Sequence, residues 1–342
     1  MVWKSEVRIV EMLGGRRPKA LALFSGGLDS LLAIRLVLDQ GVDVEAVHFV
    51  TPFSVGDERV VDRFGEELGI RVHKVFLGQE FLDLVADPPH GYGSQMNPCI
   101  DCRILMFKKA KEIAGRVGAD FLVTGEVLDE RPFSQRMEAM LLIEREAGLE
   151  GRVLRPLSAR LMPETEAERL GLVDRGGFLA IRGRRRTVQL RLAEKFGFRD
   201  YLTPSGGCLL TDPAFARRVR DHLRYEGRLT LVDAALLRVG RHFRVCGVKV
   251  IVGRNREENE KLLSLAEKHG IPYLRVEGYK GPVTLCVGRV DDAVLDLASR
   301  MTVRYSDAPG GLPVRVVCVC GGNREVRVVR AIDDDELARF RV

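Results

Sequence analysis

The chain reads as an α/β protein: a doubly wound parallel sheet followed by a second, smaller α+β domain. Short apolar runs alternate with amphipathic helical stretches through residues 20–124. A serine-glycine-glycine turn separates the first run from its helix, and from about Val239 onward short strands dominate. Alternation of the first kind builds a parallel sheet with helices on its faces.

The elements follow in order. Residues 20–24 form an apolar strand, 31–39 a helix, and 44–50 a second strand after Gly41, which is the size of a βαβ unit. A helix over 59–68, a third strand over 71–76, a helix over 105–117 and a fourth strand over 120–124 continue the pattern. In the second domain strands are expected at 249–252, 283–287 and 314–320, with one clear helix at 257–269. The acidic run Asp333 to Glu336 suits a helix N-terminus. The expected organisation is an extension (1–19), a first domain (20–225) and a second domain (236–342).

With 342 residues, 46% of them hydrophobic, the chain can bury one large core or two moderate ones, and its length suggests about two domains. No apolar stretch reaches the roughly eighteen residues needed to span a membrane, and residues 1–6 lack a signal-peptide core. A cytoplasmic location without membrane attachment is therefore expected, with the seven cysteines reduced, metal-binding or catalytic. Net charge is +6, with arginine concentrated at Arg182, Arg184, Arg185, Arg186 and Arg191, then at Arg217, Arg218, Arg220 and Arg224. Such clusters fit a polyanion; a solvated arginine-rich surface is the plainer alternative.

The richest motif is Ser25-Gly26-Gly27-Leu28-Asp29-Ser30, between the first strand and its helix. Backbone N–H groups converging at a helix N-terminus favour an anion, and the glycines let a polyphosphate come close. Ser25 and Ser30 can donate hydrogen bonds and Asp29 can hold Mg²⁺. A simple helix cap by Ser25 or Asp29 is the alternative. Ligands of open α/β sheets sit at the carboxyl ends of strands, so Phe24 and Ser25, with Phe49, Val50 and Thr51, should flank a nucleotide. Glu126, after Gly125 at the end of the fourth strand, is a candidate for substrate positioning or Mg²⁺, or else a helix-capping carboxylate.

Three cysteines stand out: Cys99 and Cys102, spaced C-x-x-C before a helix, and Cys208 after Gly206-Gly207. A helix N-terminus is expected to lower thiol pKa. Three readings stay open: three thiolates holding a [4Fe-4S] cluster with one iron free of protein ligands, a Cys102–Cys208 persulfide pair, or structural zinc. His90 is the candidate fourth zinc ligand, in a loop expected to face solvent or substrate.

The S-G-G-x-D-S string resembles the signature of the PP-loop ATP pyrophosphatases, which split ATP between its α and β phosphates. Together with 97–102, 124–127, 131–135 and 206–211, it makes residues 20–223 similar to the tRNA thiolation enzymes of that class, near the 2-thiouridylases and 4-thiouridine synthetases. The resemblance implies ATP, Mg²⁺ and tRNA, with sulfide or a sulfur-carrier protein as sulfur donor, and puts His48, Phe49 and Val50 near the adenine. In its iron–sulfur members a C-x-x-C pair and one distant cysteine bind the cluster, matching Cys99, Cys102 and Cys208. Gly125 and Glu126 would also line the cofactor site. Arg131, Arg136, Arg184, Arg185, Arg186, Arg217 and Arg218 are the RNA-binding candidates, and a homodimer is among the partners considered. Only about twenty residues precede Ala20, where 4-thiouridine synthetases usually carry a longer RNA-binding region. Residues 252–259 and 279–282 resemble the RNA-binding domain of NFACT proteins. The rival readings are a PP-loop synthetase that adenylates a carboxylate to form an amide, and an RNA-binding module with ATP as a structural ligand.

Overall fold

The structure, a computed structural model, describes residues 16–202 and 207–342. Pro204, Ser205 and Gly206, and nearly all of the 1–19 extension, lie outside the described residues. The chain divides into two compact units between Thr211 and Asp212.

In the first unit β1 (Lys19–Leu23), α1 (Leu28–Leu38), β2 (Asp43–Val50), α2 (Glu58–Leu68) and β3 (Val72–Phe76) come first. Then follow α3 (Gln79–Ala86), α4 (Cys99–Val117), β4 (Phe121–Thr124), α5 (Met137–Ala147), β5 (Val153–Leu154), the single turn α6 (Glu166–Arg169) and α7 (Thr187–Phe196). The strands lie in the order β3-β2-β1-β4-β5 and all pair in parallel. β1 is central, which is why its run is apolar without alternation: both faces are covered. Its register sets Ala22 beside Ala46 on one side and Val123 on the other. The chain leaves β1 toward β2 and β3, then returns to its other side with β4. That reversal opens a crevice at the carboxyl ends of β1 and β4, where ligands bind in such sheets.

One face of the sheet packs Phe24, Leu31, Ile34, Val37, Phe64 and Phe178; the other packs Leu21, Val47, Ile104, Phe107 and Leu122. α1 is buried almost along its length, Leu28, Leu31, Leu32, Ile34 and Val37 all being 0% exposed, so its N-terminus has little freedom to move.

The second unit contains α8 (Pro213–Glu226), α9 (Leu231–Leu237), β6 (Arg241–Val245), β7 (Val248–Val252), α10 (Arg256–His269), β8 (Tyr273–Val276) and β9 (Thr284–Val287). α11 (Asp292–Arg304), β10 (Val314–Cys320), β11 (Asn323–Val329) and α12 (Asp334–Ala338) complete it. Its sheet runs β11-β10-β8-β9-β7-β6, with antiparallel pairs throughout. α9 and α10 cover one face through Leu236, Leu262 and Ala266; α11 covers the other through Val294, Ala298 and Met301. The sequence pattern predicts one clear helix here; α11 is another, and its apolar residues are diluted by Asp292, Asp296, Arg300 and Arg304.

α8 was assigned by sequence to the first domain, but it packs within the second unit. Asp221 accepts from Arg244 of β6 at 2.5 Å and lies 3.6 Å from the Lys249 ammonium of β7, while Arg218 donates to the Leu237 carbonyl at 3.2 Å. Cys246 is exposed in the β6–β7 turn with φ 48°. Among the described residues no helix is long and apolar enough to cross a membrane.

Candidate active site

The glycine turn forms a cradle at the start of α1, in which Gly27 N–H donates to Ser25 Oγ at 3.3 Å. Gly27 is the N-cap of α1, and no side chain caps this helix, in contrast to α2, where Asp57 accepts from Arg59 N–H. Ser30 instead donates to the Gly27 carbonyl at 2.8 Å, and the Ser25 and Ser30 hydroxyls are 3.3 Å apart. The orphan N–H groups of the first turn therefore stay available to an anion, and the simple-cap alternative for Ser25 and Asp29 falls. Gly26 has φ +76°, and an added Cβ there would meet Val61 and Leu202 side chains at 3.1 Å. Gly125 is needed more strictly: a Cβ would lie 2.4 Å from Ser30 N and 2.6 Å from Asp29 O. The end of β4 thus presses its backbone directly against the first turn of α1.

Asp29 is held by Arg186, whose Nη2 lies 2.7 Å from Oδ2. Burial pushes the Asp29 carboxyl upward, against the pull of Arg186, Gln189 and Arg131. Glu130 is also raised, by burial first and then by Asp29. Among the described residues, Asp29 Oδ1, Arg186 Nε and both amide atoms of the fully buried Gln189 have no hydrogen-bond partner. An orphaned carboxylate oxygen beside an orphaned amide suits a hard cation in chemistry. Arg186, read from sequence as an RNA contact, is instead the ion-pair partner of Asp29.

His48 Nδ1 lies 2.8 Å from the Phe24 carbonyl, tying the ends of β2 and β1 together. Phe24 is 2% exposed and packs in the core; Phe49 and Val50 are half-buried at the strand end.

The three cysteines come from two places. Cys99 and Cys102 occupy the first turn of α4, with Cys102 N–H donating to the Pro98 carbonyl at 2.8 Å and Asn97 Nδ2 3.1 Å from Cys99 Sγ. Cys208 pairs with Ser54 in an isolated bridge, and Leu209 N–H donates to the Phe53 carbonyl at 2.9 Å, seating it on the loop after β2. The same segment bridges Gly27 through Leu202, whose N–H donates to the Gly26 carbonyl at 3.0 Å. Leu202 thus touches the cradle, and Cys208 touches the loop after β2.

The thiols sense one another. Burial pushes Cys102 up to about 12, with Cys208 and Cys99 adding to the rise and Arg103 opposing it. Burial likewise raises Cys208 to about 11, with Arg131 pulling down. The expected lowering of thiol pKa at the helix N-terminus does not occur for Cys102: desolvation and neighbouring sulfurs outweigh the dipole. Arg131 acts on both Asp29 and Cys208. Among the described residues no group of three or more His, Cys, Asp or Glu is arranged to hold a metal ion.

Glu126 is not free. It is buried, 3.4 Å from Arg103 and 3.1 Å from Arg155, and it accepts from Thr124 at 3.1 Å. Burial alone would raise its pKa; Arg103 and Arg155 outweigh it and hold it low. Arg155 also pairs with buried Glu144, so a charge network braces the end of β4. His90, expected to face solvent or substrate, is clamped: Nδ1 to Asp101 at 2.7 Å and Nε2 to Glu146 at 3.1 Å. The Asp101 hydrogen bond above all raises its pKa. Gln189, Arg103, Arg155 and the His90–Asp101 pair were missed by sequence reasoning; only their polar type inside apolar runs could have signalled them.

Of the arginines, Arg131, Arg136, Arg184, Arg185 and Arg217 are exposed. Arg184 Nε reaches the Glu130 carbonyl at 3.3 Å, and Arg218 is partly buried against Leu237.

The first unit is an α/β domain whose uncapped glycine cradle sits at the switch point of a parallel sheet, with a thiol-bearing segment beside it. Residues 15–161 match the family described as thiamine biosynthesis protein (ThiI), and residues 240–341 match the NFACT protein RNA-binding domain. The chain is 33% identical over 177 residues to the tRNA-specific 2-thiouridylase MnmA of Syntrophotalea carbinolica, covering 44% of this chain and 50% of that one. It is 34% identical over 152 residues to a probable tRNA sulfurtransferase of Caldanaerobacter subterraneus subsp. tengcongensis, covering 42% and 37%. A solved 4-thiouridine synthetase–RNA complex with bound ATP shares 29% identity, over 45% of this chain and 41% of that chain, with a TM-score of 0.34. The chain thus spans half or less of the length of these curated relatives. It resembles the PP-loop tRNA thiolation enzymes in its first unit and the NFACT RNA-binding domain in its second, as the sequence motifs implied.

Proposed function

We propose that the chain is an ATP-dependent tRNA sulfurtransferase that replaces a uridine carbonyl oxygen with sulfur in the cytoplasm. One observation carries this reading: Leu202 pairs with the cradle and Cys208 with the loop after β2, so activating and sulfur-bearing groups share the carboxyl end of one sheet.

The uncapped first-turn amides of α1 and the Ser25 and Ser30 hydroxyls would receive the ATP phosphates. The uridine oxygen attacks the α-phosphorus and pyrophosphate departs. Fixed amide dipoles aimed at the growing phosphate charge lower the barrier electrostatically. Asp29 and Gln189 are the residues that would hold Mg²⁺, which neutralises phosphate charge when bound; Arg186 must then leave Asp29 for the nucleotide. His48, Phe49 and Val50, at the end of β2, would flank the adenine.

A sulfur nucleophile then attacks the adenylated carbon, and AMP leaves with the former carbonyl oxygen. With a persulfide on Cys208, its terminal sulfur forms the new C–S bond. Cys102 then attacks Cys208 Sγ, releasing the thiolated base and leaving a disulfide that an external dithiol must reduce. Arg131 and Arg103 counter the thiolate charge that burial opposes. Three thiols without a fourth protein ligand also suit a [4Fe-4S] cluster in donor chemistry. Cys99, Cys102 and Cys208 are the residues that would hold it, and no step is routed through it. Exposed Arg136, Arg184, Arg185 and Arg217, with the second unit, would hold tRNA by its phosphates.

The test supplies unmodified tRNA, ATP and sulfide or a persulfide donor, and reads pyrophosphate and thiouridine. Formation of both by the wild type, with thiouridine lost in Cys208→Ser, supports the assignment. Pyrophosphate release without thiouridine from the wild type overturns it in favour of amide-type adenylation, and unchanged thiouridine formation in Cys208→Ser removes Cys208 from the sulfur transfer. Iron and labile-sulfide analysis after anaerobic purification separates cluster from persulfide.

A further inference from the structure

β11 is the last strand of the second unit's sheet. β10 covers one side, and among the described residues no strand pairs with the other. Its pairing runs without a bulge from Val314↔Val329 to Cys320↔Asn323, and it contains no proline. Gly321 and Gly322, at φ 56° and 85°, make the connection a two-residue hairpin of the primed type, which closes on a hydrogen-bonded Cys320–Asn323 pair. Alternation then turns the backbone groups of Glu325, Arg327 and Val329 toward β10, and those of Arg324, Val326 and Val328 outward. Val326 and Val328 are 44% and 63% exposed. An open edge of this kind is a template for another strand.

We propose that β11 pairs antiparallel with β11 of a second copy, about a two-fold axis at Val326. In that register Val326 faces Val326, Arg324 faces Val328, and Glu325 faces Arg327 of the second copy. Arg327 already touches Glu325 at 2.7 Å and pairs with Asp292 within one chain. The two-fold operation extends this into a ring of alternating charge. The neighbouring registers that keep outward backbone groups paired are excluded by like charge: one sets Glu325 on Glu325, the other Arg327 on Arg327. Opposite charges directly across a strand pair are favourable and like charges are not, so of these three registers the strand's own order selects the one centred on Val326. The occupant fitting this edge is another copy of the same chain.

Light scattering and sedimentation velocity on the full chain across a concentration series test this. The expected mass is twice that of the chain, halved by Val326→Lys, which sets two ammonium groups on the axis, and by Glu325→Arg, which opposes Arg327. The double exchange Glu325→Arg with Arg327→Glu should restore the doubled mass. Circular dichroism melts of each variant confirm folding. A monomeric wild type at every concentration overturns the pairing, as does a dimer indifferent to both single variants. So does association seen only when RNA is added.

Discussion

Each unit gathers three thiols and one deeply buried cation, yet the two gatherings differ in what surrounds them. In the first unit Cys99, Cys102 and Cys208 lie on a helix turn and a loop segment, within reach of Arg103 and Arg131. In the second, Cys286, Cys318 and Cys320 lie on strands β9 and β10, where Cys286 and Cys318 are 0% and 1% exposed among valines and α11. Burial raises the Cys286 thiol strongly, with Cys318 and Cys320 adding to it, and no arginine pulls it down. Sulfur density by itself does not define a site. Polar loops, cations and an adjoining anion cradle do. The buried cations differ likewise: Arg155 is paired by Glu126 and Glu144, while Lys249 stands 3.6 Å from Asp221, without a hydrogen bond among the described residues, and is pushed by burial down to about 8.

The sharpest way to break this contrast is to exchange thiols in both places. Cys208→Ser or Cys102→Ser should cut thiouridine formation by about 100-fold or more, since a group acting in the transition state is removed. Cys286→Ala and Cys318→Ala should leave the rate within about twofold and lower stability by about 1–2 kcal/mol, the cost of a small core cavity. Mass-spectrometric nucleoside analysis and urea unfolding measure the two effects. Asp29→Asn should slow pyrophosphate release by about 100-fold, while leaving tRNA retention in a filter assay unchanged. A smaller loss in the first assay would reduce Asp29 to a partner of Arg186.

Arg155→Met leaves Glu144 without its buried partner and Glu126 with Arg103 alone, so unfolding should become easier by about 3–5 kcal/mol. Lys249→Met should do the opposite. The unfolded lysine, at its ordinary 10.5, binds a proton more readily than the folded one at about 8. The folded state therefore carries a penalty below pH 8 that fades as pH rises toward 10.5. Removing the amine should stabilise the protein at pH 7 by about 1–3 kcal/mol and flatten the rise in stability between pH 8 and 10.5. Thermal melts across that range read the sign directly.

Periodicity made β1, β2, β3 and β4 visible, along with the first two helices, because a central parallel strand must be apolar on both faces and its helix on one. It missed β5, only two residues long, and α11, whose apolar face is interrupted by charge. The Ser25–Ser30 motif and the C-x-x-C pair were legible because backbone freedom and thiol chemistry belong to residue type and spacing.

Partnership was not legible. Arg186 on Asp29, two arginines on Glu126, Asp101 on His90 and Gly125 against Ser30 all join residues far apart along the chain. The meeting of Cys208 with the end of β2 and the upward shift of the Cys102 thiol depend on burial. Local sequence settles which groups exist and which turns the backbone can make. Desolvation and charge pairing are sums over neighbours, and only the tertiary structure decides who those neighbours are.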